Sequence, residues 1–121
     1  MLATTSCASR PQPQLPGGES RIVPEDRIRT SDVEHLLDAF RALHTPDEVY
    51  AFLQDVATPK EIHDLAQRLA VARMLAAGAH YTDIQEATGA SATTIARVNR
   101  SLNYGADGYR TALSRTTGLP E

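Results

Sequence analysis

Residues 82–102, TDIQEATGASATTIARVNRSL, constrain this chain more than any other stretch. Two short segments with a helical apolar period flank a glycine. In the first, about residues 81–88, Ile84 and Ala87 are spaced to share one inward face. In the second, about 92–102, Ile95, Val98 and Leu102 recur at the spacing of one helix face. Gly89 stands between them, where the backbone must turn left-handed, a conformation glycine adopts without steric cost. Ser91 follows with a hydroxyl that can accept an orphan N–H of the next helix. Such a chain folds into a helix, a tight turn and a second helix.

The rest of the chain obeys the same period. Val33, Leu36, Leu37, Phe40 and Leu43 form one stripe of a helix beginning near Ser31. Thr45-Pro46-Asp47-Glu48 and Thr58-Pro59-Lys60-Glu61 are two copies of one start signal. Thr caps, Pro fits the first turn, and Glu closes a capping box. Val49, Phe52 and Leu53 face inward from the helix after the first signal. The helix after the second runs roughly 59–77, with Ile62, Leu65, Leu69, Ala72 and Ala76 assigned to its buried side and Gly78 ending it. Asn103 and Gly105 are read as the stop of the fifth helix, and Tyr109 and Leu113 anchor a sixth at about 107–115. No run alternates every second residue as a strand would. The fold class expected is all-α, with six helices.

Residues 1–30, with Pro11, Pro13, Pro16 and Pro24 among Gly, Ser, Thr and Gln, carry no apolar period and are expected to form a disordered tail. Residues 31–116 are expected to form one helical domain, and 117–121 a C-terminal tail. A chain of 121 residues suffices for one small domain. The helices are short and their apolar stripes wide, especially in the first two. A second copy of the chain would cover them, so a homodimer is expected.

Several function classes are set aside by what is missing. No stretch approaches the roughly 20 apolar residues of a membrane span. The opening MLATTSCASRPQPQ has neither a basic start nor an apolar block, so no secretory signal or membrane anchor is read there. Cys7 is the single cysteine and cannot form an internal disulfide, which suits a cytoplasmic location. Ser, His and Asp occur without a strand–turn–helix nucleophile elbow. Among the four histidines, His35 and His44 are nine residues apart, and Glu61 and Asp64 near His63 already suit the first turn of a helix. Neither catalytic residues nor a metal nor a resident cofactor is expected.

Charge is distributed unevenly. The net value is −3, yet residues 1–57 hold five Arg against nine acids, while 90–115 hold Arg97, Arg100, Arg110 and Arg115 against Asp107 alone. The positive field thus falls on the second helix of the hairpin. A helix that enters a major groove needs short or polar residues at its N-terminal end. Ser91, Ala92, Thr93 and Thr94 meet that need: hydroxyls can bond base edges, and Ala or Thr methyls can touch thymine. Thr82 and Gln85 on the first helix, with Arg97 and Arg100 on the second, are the candidates for phosphate and flanking contacts. Double-stranded DNA is the partner expected, and a dimer would double the few basic contacts. The same pattern also fits a helical dimerisation or protein-interaction module that does not bind DNA.

From about Leu36 to Leu113 the chain resembles the Trp repressor superfamily, nearest to its branch of YerC/YecD-type Trp repressor-related proteins. The resemblance is carried by TPKEIHDLAQRLAVARMLAAG (58–78) and TDIQEATGASATTIARVNRSLNYGADGYR (82–110). It implies an intertwined all-helical homodimer that acts as a transcriptional regulator, a repressor, on a near-palindromic operator. Each subunit would place one reading helix in successive major grooves. In that family an amino-acid corepressor lies beside the reading helix, and the matching positions here are Thr58, Arg68, Arg97 and Ser101. Two Arg planes would sandwich a planar ring. One departure stands out. Tryptophan-binding members carry a glycine directly after the second Arg, where this chain has Val98. The resemblance therefore leaves a small amino-acid effector other than tryptophan, or none.

Overall fold

The structure, a computed structural model, describes residues 27–116. Expectations for residues 1–26 and 117–121 lie outside the described residues. The described residues divide into two compact units, 27–44 and 45–116.

The first unit contains α1 (Ser31–Ala42). Thr30 has extended backbone, and its Oγ1 accepts the Val33 N–H at 3.2 Å, which satisfies one orphan donor of the first turn. Asp32 and Glu34 lie in the first turn and Arg41 in the last, each favourable to the helix dipole. The Arg29 guanidinium hydrogen-bonds the Glu34 carboxylate and holds it below the usual carboxylate range. The expected stripe is present, yet Leu36, Leu37 and Phe40 all remain exposed.

The second unit contains α2 (Pro46–Val56), α3 (Pro59–Ala76), α4 (Tyr81–Thr88), α5 (Ala92–Tyr104) and α6 (Gly108–Thr116). Both start signals open a helix where the sequence implies, and the reciprocal capping box is formed at the second. Thr45 Oγ1 accepts the Glu48 N–H at 3.1 Å. Thr58 forms a complete capping box, its Oγ1 accepting the Glu61 N–H at 3.1 Å while its own N–H donates to Glu61 Oε1 at 2.8 Å. Each such cap contributes about 1 kcal/mol to its helix. The long α3 is the spine of the unit and packs against α2, α4, α5 and α6. Val71, Ala72, Ile84, Ala90, Ile95 and Val98 form the buried core, with Met74, Leu75, Ala79, Tyr109 and Leu113 packed on it. Among the described residues there is no strand, and no helix is long and apolar enough to cross a membrane.

Two sequence assignments need correction. On α3, Ala72 is buried as expected and Ile62 is half-buried, but the second buried residue is Val71, whereas Leu65 is 51% and Leu69 41% exposed, and Ala76 is exposed too. This helix is apolar over more than one stripe, and its period does not say which stripe meets α4 and α5. On α4, Ala87 is exposed, while the neighbouring Thr88 is half-buried because its hydroxyl and carbonyl both hold the turn.

Candidate nucleic-acid interface

The hairpin α4–α5 is built around Gly89. Its φ of 75° is left-handed, and its N–H donates to the Gln85 carbonyl at 2.9 Å, ending α4. Thr88 braces the same corner. Its hydroxyl donates to the Ile84 carbonyl at 2.7 Å and accepts the Ala90 N–H at 3.1 Å. Ala90 is buried, so the corner is pinned by packing as well as by hydrogen bonds. Ser91 then caps α5. Its Oγ accepts the Thr94 N–H and donates to Thr94 Oγ1, both at 3.1 Å.

The faces of α5 are sharply separated. Ile95, Val98 and Leu102 are buried. Opposite them, Thr93, Arg97, Arg100 and Tyr104 recur at intervals of four, three and four residues, which places them on one stripe, and all are exposed. Ala92 is exposed beside Thr93, whereas Thr94 is half-buried and bonded to Ser91. Of the four small residues expected at base edges, Ser91, Ala92 and Thr93 are thus exposed, with Ser91 also capping the helix, and Thr94 is the half-buried one. Thr82 and Gln85 lie on exposed positions of α4. Tyr104, 86% exposed at the end of this stripe, is a residue that the sequence analysis does not single out.

Among the described residues, Arg97 and Arg100 have no ion-pair or hydrogen-bond partner, so both charges are open to a ligand. Arg110 differs. It turns back from α6, with Nε donating to the Leu102 carbonyl at 3.2 Å and Nη2 to Asn103 Oδ1 at 2.9 Å. Asn103 in turn donates its Nδ2 to the Asn99 carbonyl at 3.0 Å and to Asn99 Oδ1 at 2.9 Å. The last turn of α5 has no basic residue of its own, and Arg110 supplies both a donor and a positive charge to its orphan carbonyls. Counted in the local positive field from sequence, Arg110 serves here as a cap.

The positions that the resemblance links to an effector are spread over several settings. Ser101 lines an open groove of about 470 Å³ with Leu69, Gly105, Ala106, Gly108, Tyr109 and Ala112. Thr58, Arg68 and Arg97 are not among its lining residues. Thr58 is the cap of α3, and Arg68 and Arg97 are exposed on α3 and α5. Val98 is only 3% exposed and sits in the core with Val71, Ala72 and Ile84. Beyond the groove the chain bends tightly at Gly105, where an added Cβ would lie 2.3 Å from the Ser101 carbonyl oxygen.

A family described as Trp repressor protein matches residues 31–117. The chain belongs to the Trp repressor family. It is 47% identical over 90 residues to the YerC protein of Bacillus subtilis (strain 168), covering 74% of this chain and 86% of YerC. The solved structure of a TrpR like protein from Eubacterium eligens ATCC 27750 superposes with a TM-score of 0.72 at 49% identity, covering 78% of this chain and 97% of that one. A second solved structure, from Staphylococcus aureus, also gives a TM-score of 0.72, at 39% identity and covering 78% and 94% of the two chains. The Trp repressor family comprises DNA-binding regulators, and the coarse functional class follows from membership.

Proposed function

We propose that this Trp repressor family protein is a homodimeric, sequence-specific transcriptional repressor that reads a near-palindromic operator in double-stranded DNA. The observation that carries the reading is the exposed stripe of α5. Thr93, Arg97 and Arg100 lie opposite the packed Ile95, Val98 and Leu102, directly behind a corner held by Gly89 and Thr88. With α5 in a major groove, Ala92 and Thr93 touch base edges, and Ser91 and Thr94 offer hydroxyls at the helix entrance. Arg97 and Arg100 bind phosphates, as do Thr82 and Gln85 from α4.

The second copy is supported by apolar side chains that stay partly exposed in the described chain: Leu36 and Leu37 on α1, and Leu65 and Leu69 on α3. Residues 31–116 form the working domain in this reading, acting in the cytoplasm. A small amino-acid effector would use Thr58, Arg68, Arg97 and Ser101, with Ser101 already at a groove. Tryptophan is disfavoured because the Val98 side chain fills the space beneath α5.

Gel shifts of genomic fragments at several salt concentrations test the reading. A subset of fragments should be retained, with affinity falling steeply as salt rises. Retention of no fragment at any salt concentration would overturn it in favour of an interaction module without DNA.

A further inference from the structure

The corner between α4 and α5 is held from outside the hairpin. Gln67, half-buried on α3, donates its Nε2 to the Thr88 carbonyl oxygen at 3.0 Å. The other groups of this corner are satisfied within the hairpin: the Thr88 hydroxyl by Ile84, the Ala90 N–H by Thr88, and the Gly89 N–H by Gln85. The Thr88 carbonyl belongs to the last turn of α4, where carbonyls have no intrahelical partner. Gln67 is therefore its cap, and it comes from a different helix.

Location gives this bond its effect. Gln67 stands one helical turn before Val71, which is fully buried in the core with Ile84, Ala90 and Ile95. Apolar packing is non-directional and would allow the hairpin to rock on α3. A hydrogen bond is directional and fixes one point of the corner. That point lies three residues before Ser91, whose cap sets the direction in which α5 departs.

We propose that Gln67 is a positioning residue for DNA reading. It touches no DNA. By holding the Thr88 carbonyl it presents Ala92 and Thr93 at one angle to the base edges. This inference rests on the DNA-reading role proposed above. Base-edge bonds demand that angle, whereas long Arg side chains reach phosphates over a range of angles. Loss of Gln67 should consequently reduce discrimination between sequences and spare overall affinity.

The experiment uses the full chain with Gln67→Met, which keeps length and helix propensity but removes the donor, and Gln67→Glu, which turns an acceptor towards the carbonyl. Each is compared with wild type on a fragment selected by the wild type and on an unrelated duplex of equal length. Amide hydrogen exchange is followed at Ala90 and Val71. The specific-to-nonspecific ratio should fall about three- to tenfold in the Met variant, the factor set by one net hydrogen bond, and at least as far in the Glu variant. Affinity for the unrelated duplex should hold, and Ala90 should exchange faster while Val71 keeps its protection. An unchanged ratio, or an equal loss on both duplexes, overturns the role of Gln67. A wild type that prefers no fragment overturns the DNA-reading role itself.

Discussion

Replacing Val98 by Ala probes the packing on which both the hairpin and the exclusion of tryptophan depend. The side chain is 3% exposed and belongs to the core cluster with Val71, Ala72, Ile84, Ala90 and Ile95. The change removes two methyl groups, roughly 1.6 kcal/mol of transfer free energy at about 0.8 kcal/mol each. A residual cavity adds to this, and loss of a single methyl or methylene already costs about 0.5–1.5 kcal/mol in comparable cores. Ala is the better helix former by roughly 0.5 kcal/mol, which acts in the opposite direction. The net expectation is a loss of about 2 kcal/mol, or roughly 8–16 °C in Tm for a domain of this size. Urea unfolding at one fixed protein concentration measures it, because the stability of a dimer depends on concentration. The midpoint should fall without a change in slope. A loss under about 0.5 kcal/mol is what surface positions show. That result would place the Val98 side chain outside the core and remove the steric argument against tryptophan.

Other substitutions separate the roles assigned to single side chains. Thr93→Ala should lower discrimination between operator and non-operator DNA by about 1–3 kcal/mol while leaving affinity for unrelated duplex unchanged, as competition binding would show. Arg100→Ala should weaken binding to all sequences and reduce the slope of log affinity against log salt by about one charge; an unchanged slope means that it contacts no phosphate. Gly105→Ala forces a methyl against the Ser101 carbonyl and should cost about 1–3 kcal/mol in urea unfolding, with a near-neutral result contradicting the tight bend. Leu65→Glu combined with Leu69→Glu should leave a folded helical chain that sediments as a monomer where wild type sediments as a dimer. A dimer in both would move the interface elsewhere.

Much of the fold was legible because its signals are local. Thr45 and Thr58 with their following prolines, Ser91, and Gly89 mark helix ends by hydrogen bonds that span three or four residues. The predicted 81–88 helix matches α4 (Tyr81–Thr88). α5 runs two residues past the end expected from sequence, because Asn103, a helix stop by residue type, bonds back to Asn99 and extends the last turn. On α3 the sequence finds Ala72 but not Val71, because an alanine- and leucine-rich helix has more than one apolar stripe and only its neighbours choose between them. The candidate site divides along the same line. The exposure of Thr93, Arg97 and Arg100 follows from their spacing against Ile95, Val98 and Leu102, which is visible in the sequence. The capping roles of Gln67 and Arg110 are not, because each acts on a carbonyl that only the tertiary fold brings near. The effector positions rest on resemblance: Ser101 lines a groove that Thr58, Arg68 and Arg97 do not line.

Selecting bound fragments from genomic DNA, then footprinting the enriched ones, addresses the DNA-reading role at its base. Two copies of α5 in major grooves should yield a small enriched set sharing a near-palindrome, with two protected half-sites one helical turn or a multiple of it apart. Enrichment of no sequence over the input, even at low salt, would contradict that role.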